Sequence, residues 1–121
     1  MAPYRSGLTS VNDATYMSME LSTHGDMFDI VKSSGGFKDV MLVRYLITQI
    51  LNAVSHLNKV GYTHLDLKLD NILIGNDFKL KLCDLGFARK IDKQLFKKYG
   101  TEGYMAPEVI TKERYDAYEG V

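Results

Sequence analysis

The chain has 121 residues, of which 45% are hydrophobic, and its 15 basic and 15 acidic side chains give a formal net charge of +0. This length and composition are typical of an ordinary globular protein with one domain at most. The charge balance argues against a generic nucleic-acid binder or a binder of anionic membranes, because either would normally carry a basic excess.

The N-terminal part predicts short extended pieces. Residues 8–21 contain two such pieces around a polar turn at Asn12-Asp13. The second piece, "TYMSMEL", is the better strand, because its residues are compatible with a β-strand and partly alternate in polarity.

A short helix is predicted next, from Gly25-Asp26 to about Lys32. Its apolar side consists of Met27, Phe28, Ile30 and Val31. The following "SSGG" at 33–36 predicts a loop. This loop lacks the spaced glycines and the preceding strand of a phosphate-binding glycine loop.

The strongest periodicity lies between Asp39 and Val60 and predicts a long helix. Apolar residues recur there every three or four positions, with two further leucines widening the stripe: Val40, Val43, Ile47, Ile50, Val54 and Leu57, then Leu46 and Leu51. Asp39 can cap the start of this helix, and Gly61 can end it in a left-handed conformation. The width of the stripe predicts packing against more than one neighbour.

A hairpin follows, in which "ILIG" and "FKLKLC" flank a turn at 75–77. Leu80 and Leu82 are predicted on one face of it. "DLGFARK" follows at 84–90. An irregular stretch is then predicted up to "YGTEGYMAPEV" at 99–109, where Pro107 can occupy the first turn of a short helix.

Polar side chains with complementary chemistry lie in "HLDLKLDN" at 64–71. Asp66 can accept a proton, Lys68 can neutralise phosphate charge, and the amide oxygen of Asn71 can bind a hard cation such as Mg²⁺. Asp84 follows the hairpin, which can return it to Asn71 as a second ligand. Taken alone, the octapeptide is equally compatible with a solvated surface loop.

The compartment is inferred from the only cysteine, Cys83, which cannot form an internal disulfide. A reducing, intracellular and cytoplasmic setting is the simplest interpretation. "MAPYRSGLTS" has no apolar stretch like that of a signal peptide, and we expect no run long and apolar enough to span a bilayer.

Three motifs, in this order, resemble those of the eukaryotic protein kinases. "HLDLKLDN" at 64–71 is similar to the catalytic loop, Asp84-Leu85-Gly86 to the magnesium-binding Asp-Phe-Gly motif, and "GTEGYMAPE" at 100–108 to the end of the activation segment. The resemblance implies an α+β fold, a partial kinase-like domain with a mainly helical large lobe, small β-hairpins and a small lobe that is largely absent. Residues 1–24 would be the end of the small lobe and the hinge, and 25–121 the first half of the large lobe.

The resemblance also implies phosphoryl transfer from ATP to the hydroxyl of a protein serine or threonine. Asp66 would orient and deprotonate that hydroxyl, and Lys68 would offset charge on the phosphate. Asn71 and Asp84 would hold Mg²⁺, and Thr101 would hydrogen-bond toward Asp66 and Lys68. Lys68 and Thr101 are similar to the serine/threonine branch of the family.

The nucleotide would be bound by the hinge. Met19 falls at the gatekeeper position, Glu20 and Ser22 would offer backbone groups to adenine, Leu73 would lie under it, and Asp26 would lie at the ribose edge. Simple strand packing is the alternative for the hinge residues.

Substrates are expected to be proteins with a basic sequence context. Asp26 and Asp70 resemble positions that contact a substrate arginine in basophilic kinases. The alternative is a helix cap at Asp26 and a loop charge at Asp70. Neither nucleic acid nor membrane is expected as a partner.

The sequence departs from the family pattern at Leu65, where arginine is common and pairs with a phosphate on the activation segment. Between Gly86 and Gly100 there is no serine or threonine either. Both features argue against regulation by phosphorylation of this segment.

The family's glycine-rich loop, strand lysine and later large-lobe helices are not found in the sequence. We therefore expect the chain by itself neither to fold well nor to transfer phosphate at a useful rate. Two functional hypotheses follow: a truncated serine/threonine kinase domain, or a non-catalytic kinase-like remnant that binds proteins.

Overall fold

The structure, a computed structural model, describes residues 7–118. The predicted domain limits at residues 1 and 121 lie outside this range. It begins with an antiparallel hairpin of β1 (Gly7–Val11) and β2 (Ala14–Ser18). Asn12 and Asp13 form its turn with φ values of 50° and 62°. A two-residue hairpin turn of type I′ needs two positive φ angles, and Asn and Asp tolerate them better than most residues, so the predicted polar turn is confirmed.

Helix α1 spans Met27–Ser34. Asp26 caps its N-terminus by accepting a hydrogen bond from the amide of Asp29 at 2.9 Å. The helix ends two residues later than predicted, because Ser33 and Ser34 keep helical geometry and donate their hydroxyls to carbonyls one turn earlier. Gly35, with φ of 69°, ends it, so the loop begins there.

Helix α2 spans Val40–Lys59, as the periodicity predicts. Asp39 caps it by accepting hydrogen bonds from the amides of Met41 at 2.8 Å and Leu42 at 3.3 Å. Gly61 follows the helix with φ of 86°, a left-handed conformation that favours glycine. Both predicted ends of this helix are therefore confirmed.

The expectation that no segment could span a bilayer was wrong for α2 by length and composition. The helix has 20 residues, and only Arg44 and Lys59 are charged among them. A core helix in a soluble protein meets the same criterion, so this property alone is weak evidence for a membrane span.

The rest of the described chain consists of short elements: β3 (Tyr62–Thr63), β4 (Ile72–Ile74), β5 (Leu80–Leu82), β6 (Arg89–Lys90), β7 (Gln94–Leu95), α3 (Pro107–Thr111) and β8 (Tyr115–Asp116). The strands pair antiparallel as β3 with β6, β4 with β5, and β7 with β8. The predicted hairpin is β4 and β5, and Pro107 opens α3 as predicted. The mixture of helices and small two-stranded sheets is an α+β fold.

The prediction of an irregular stretch between Lys90 and Tyr99 was wrong in part, because Gln94–Leu95 pairs with Tyr115–Asp116. Arg89–Lys90, just before that stretch, pairs with Tyr62–Thr63. These strands are two residues long and their partners lie far away along the chain. They therefore leave no local alternation that a sequence pattern could reveal.

Two apolar clusters hold these elements together. The helical cluster has Met27, Ile72 and Ile74 at its centre, with partly buried side chains of α1, α2 and β5 around them, including Leu46, Ile50, Leu80 and Leu82. The C-terminal cluster consists of Leu65, Leu95, Val109, Tyr115 and Ala117. Residues 64–66, on the loop between β3 and β4, are buried, and Leu65 ties this loop to the C-terminal cluster.

Candidate active site

The catalytic-loop segment is anchored by His64, whose side chain is only 1% exposed. Its Nδ1 accepts a hydrogen bond from the amide of Asp66 at 3.2 Å, so its Nε2 carries the proton and donates to the carbonyl of Cys83 at 2.9 Å. The amide of Cys83 in turn donates to the carbonyl of Asn71 at 2.9 Å. His64 is therefore a buried structural residue, and it joins the segment 64–71 to the segment that leads into Asp84.

Leu65 has a left-handed backbone with φ of 65°, and its side chain is 4% exposed in the C-terminal cluster. A leucine in this conformation is unfavourable by itself, so burial must compensate for it. Gly100 approaches the same backbone closely: a Cβ at Gly100 would lie 2.7 Å from the carbonyl oxygen of Leu65. Only glycine fits there without a shift of the backbone.

Asp66 lies at the centre of a hydrogen-bonded group. The hydroxyl of Thr101 donates to Asp66 Oδ1 at 2.7 Å, and the side-chain amide of Asn71 donates to Asp66 Oδ2 at 3.0 Å. The ammonium of Lys68 lies 3.4 Å from Oδ2 and donates to Thr101 Oγ1 at 2.8 Å. The structure thus brings together all four residues predicted to be catalytic, with the hydrogen bonds expected of Thr101. Their catalytic roles stay predictions.

Burial would raise the pKa of Asp66, but hydrogen bonds from Thr101 and Asn71 and the charge of Lys68 together hold it below the ordinary value of 3.8. The carboxylate is therefore ionised at neutral pH. A base with so low a pKa is weak, which suits orientation of a hydroxyl better than early removal of its proton.

The two predicted magnesium ligands lie on segments joined by the backbone bond between Asn71 and Cys83. The amide nitrogen of Asn71 donates to Asp66, and these bonds leave its Oδ1 available. Asp84 adopts a left-handed backbone conformation, and its Oδ1 accepts a hydrogen bond from the backbone amide of Gly86 at 3.1 Å. This bond leaves Oδ2 of Asp84 available to a metal ion.

Between Gly7 and Tyr118, no group of three or more His, Cys, Asp or Glu side chains could hold a metal ion. Mg²⁺ commonly takes one or two protein oxygens together with phosphate oxygens and water. An amide oxygen from Asn71 and a carboxylate oxygen from Asp84 fit that requirement, so these two residues could hold Mg²⁺ beside a nucleotide.

The predicted nucleotide residues divide into two groups. Asp26 and Leu73 are adjacent through an isolated antiparallel bridge, and the amide of Ile74 donates to the carbonyl of Gly25 at 3.0 Å. Asp26 is also the cap of α1, which was the alternative interpretation of this residue.

Met19, Glu20 and Ser22 lie on the extended segment after β2, and Met19 is 55% exposed. The carboxylate of Glu20 forms an ion pair with Lys81 on β5. Their contacts with a nucleotide stay predictions. Lys81 was not among the predicted site residues, because the register that pairs it with Leu73 is seen only in the structure.

Cys83 is a partly buried thiol between the two metal-ligand candidates. Burial and the neighbouring carboxylates of Asp84 and Asp26 raise its pKa above the usual 9.0. The thiolate is the reactive form, so this environment lowers the reactivity of the side chain at neutral pH.

The comparison with known families agrees with this geometry. A model of the protein kinase domain matches residues 5–120. The chain belongs to the protein kinase family. Curated relatives that it matches include serine/threonine kinases, as the resemblance implied.

Three of the relatives that this kinase chain matches come from different organisms. It is 37% identical over 107 residues to the probable serine/threonine-protein kinase fhkC of Dictyostelium discoideum, an alignment that covers 85% of the chain and 18% of the relative. It is 41% identical to the human serine/threonine-protein kinase D2 over 99 residues, 77% of the chain and 11% of the relative. It is 40% identical to the serine/threonine-protein kinase cds1 of Schizosaccharomyces pombe over 102 residues, 82% of the chain and 22% of the relative. The chain therefore spans less than a quarter of the length of each.

Proposed function

We propose that this kinase chain carries the catalytic loop and metal-binding residues of an ATP-dependent protein serine/threonine kinase. The observation that supports this best is the group formed by Asp66, Lys68, Asn71 and Thr101. Its members come from two distant segments and meet within hydrogen-bonding distance. A solvated surface loop, the alternative for the octapeptide, would not bury Asp66 and Asn71 to 6% exposure each.

In this proposal, Asp66 accepts a hydrogen bond from the substrate hydroxyl and so aims the oxygen at the terminal phosphate of ATP. As the new oxygen–phosphorus bond forms and the bond to ADP breaks, the hydroxyl proton passes to the Asp66 carboxylate. Lys68, close to the same carboxylate, offsets the negative charge on the transferred group. Thr101 holds the side chains of Asp66 and Lys68 in place through its hydrogen bonds to both. Mg²⁺ held by Asn71 and Asp84 would neutralise phosphate charge.

The direct test is phosphoryl transfer by the full-length protein, with Mg-ATP and a mixed library of serine and threonine peptides. Asp66→Asn keeps the shape of the side chain but cannot take the proton, so we expect the rate to fall by about 100-fold or more. Asp92→Asn, on the exposed part of the activation segment, is the control and should leave the rate unchanged.

Full turnover in Asp66→Asn would contradict the assignment of Asp66. If the unsubstituted protein neither binds Mg-ATP nor transfers phosphate, the alternative of a kinase-like protein-binding module is favoured instead.

We further propose a preference for basic residues before the acceptor, supported by two carboxylates. Asp70 is exposed next to the catalytic loop, and Asp26 uses one oxygen as a cap and leaves the other free of that bond. Asp26→Asn removes the charge but keeps the cap, because Asn caps helices about as well as Asp.

A peptide array with the full-length protein should show that the preference for arginine weakens in Asp26→Asn and in Asp70→Asn. Asp29→Asn, in the first turn of the same helix, should leave it unchanged. Indifference to upstream arginine in the unsubstituted protein would refute this proposal.

A further inference from the structure

Three distant segments meet in the C-terminal cluster. Leu65 comes from the catalytic loop, Leu95 from the activation segment, and Tyr115 from β8 beyond α3, and their exposed fractions are 4%, 7% and 4%. Leu95 and Tyr115 are also register partners in the β7–β8 pair. The cluster therefore connects the loop that carries Asp66 to the middle of the activation segment.

The backbone of the activation segment is held at several points around this cluster. The hydroxyl of Tyr115 donates to the carbonyl of Lys97 at 3.0 Å, and the partly buried side chain of Tyr99 packs against the C-terminal cluster. Further back, the amide of Ala117 donates to the carbonyl of Lys93 at 2.9 Å. Residues 93–97 are thus hydrogen-bonded at both ends to the segment 115–117, which contains β8.

The position of Thr101 follows from these contacts. Two residues after Tyr99 the chain reaches Thr101, whose hydroxyl donates to Asp66. Gly100 between them packs on the carbonyl of Leu65. A shift of the backbone at 97–99 would consequently move Thr101 away from Asp66 and Lys68.

We infer that Tyr115 is a positioning residue for phosphoryl transfer: its ring and hydroxyl, with Leu65, hold the activation segment so that Thr101 stays on Asp66. This inference rests on the proposed function. An apolar side chain at Leu65 offers no receptor for a phosphate, and apolar contacts with a neutral phenol hold the segment at this point instead. The order of the segment is therefore built into the fold and needs no added charge.

The test compares two variants at this position in the full-length protein. Tyr115→Phe removes only the hydroxyl, and Tyr115→Ala also removes the ring. Tyr118→Phe is the matched control, since Tyr118 lies three residues later and is 61% exposed. Two properties are measured in each variant: the hydrogen exchange of the backbone amides at 97–101, and the separate values of kcat and KM for ATP. Hydrogen exchange is included because it does not depend on activity.

We expect Tyr115→Phe to speed exchange at 97–101 by about 2- to 10-fold, the effect of losing one ordinary hydrogen bond. The value of kcat should fall by a similar factor and KM for ATP should stay constant, because Tyr115 is remote from the hinge. Tyr115→Ala should show both effects more strongly, and Tyr118→Phe neither. Phosphatase treatment of the unsubstituted protein should leave its rate unchanged.

Unchanged exchange at 97–101 in both Tyr115 variants of an active protein would overturn the inference alone. Equally faster exchange in α2 would also overturn it, because that would show a general loss of stability. A rate lost on phosphatase treatment would show that a phosphate holds the segment. An unsubstituted protein that transfers no phosphate would remove the proposed function and the positioning role together.

Discussion

Leu65→Arg is expected to lower the free energy of unfolding by about 3–5 kcal/mol, although it restores the residue that is common in the family. Leu65 is 4% exposed and packs with four other apolar or aromatic residues of the C-terminal cluster. A guanidinium there would lose its hydration among apolar side chains. The desolvated charge would push the loop out of the cluster and move the adjacent Asp66 with it.

Chemical denaturation of the full-length protein measures this effect. Leu65→Met, which nearly conserves volume, should cost less than about 1.5 kcal/mol. Leu21→Arg introduces the same side chain at a leucine that is 74% exposed, and we expect a change within about 0.5 kcal/mol. A Leu65→Arg protein as stable as Leu21→Arg would mean that the C-terminal cluster is not packed as described.

The 121-residue chain expressed by itself should bind apolar dyes and self-associate at micromolar concentration. Several large apolar side chains of α2 are exposed, among them Val40 at 76%, Met41 at 71% and Leu51 at 62%. Burial of each such side chain is worth about 1.5–3 kcal/mol, so contact between exposed faces is favourable.

The double variant Met41→Lys/Leu51→Lys tests this prediction. It should reduce dye fluorescence and association, measured by sedimentation, without lowering the melting temperature. Leu46→Lys is the matched comparison on the same helix: Leu46 packs in the helical cluster, so its substitution should lower the melting temperature instead. A monomeric, dye-free unsubstituted chain would contradict the expectation.

The sequence predicted the structure correctly where that structure depends on residues close together in the chain. Asp39 and Gly61 marked the ends of α2 because caps act on the amides and carbonyls of the adjoining turn. The β4–β5 hairpin was evident because its two strands are separated only by a short turn. The end of α1 was predicted two residues too early. Two serine hydroxyls donate hydrogen bonds back into the helix, and the helix continues until Gly35.

The sequence indicated which residues belong to the candidate site. Their spacing in the chain could not show how they are arranged. Asp66, Lys68 and Asn71 lie within six positions of each other, so one loop can present them together. Thr101 lies 35 positions from Asp66, and its place there was known only through the family resemblance. Lys81 beside Glu20 and Tyr115 beside Leu65 carried no signal in the sequence, because each pairing depends on how distant segments pack.

The sequence by itself determined the kinase motifs, the long amphipathic helix with its caps, and the absence of a phosphate receptor at Leu65, because these depend on residue chemistry and local periodicity. Only the tertiary structure decided what Leu65 does. Its side chain is buried among Leu95, Val109, Tyr115 and Ala117, which come from segments about 30 to 50 positions later in the chain. Apolar burial is non-directional and has no motif, so a sequence can indicate that a leucine will be buried but cannot indicate which distant residues will surround it.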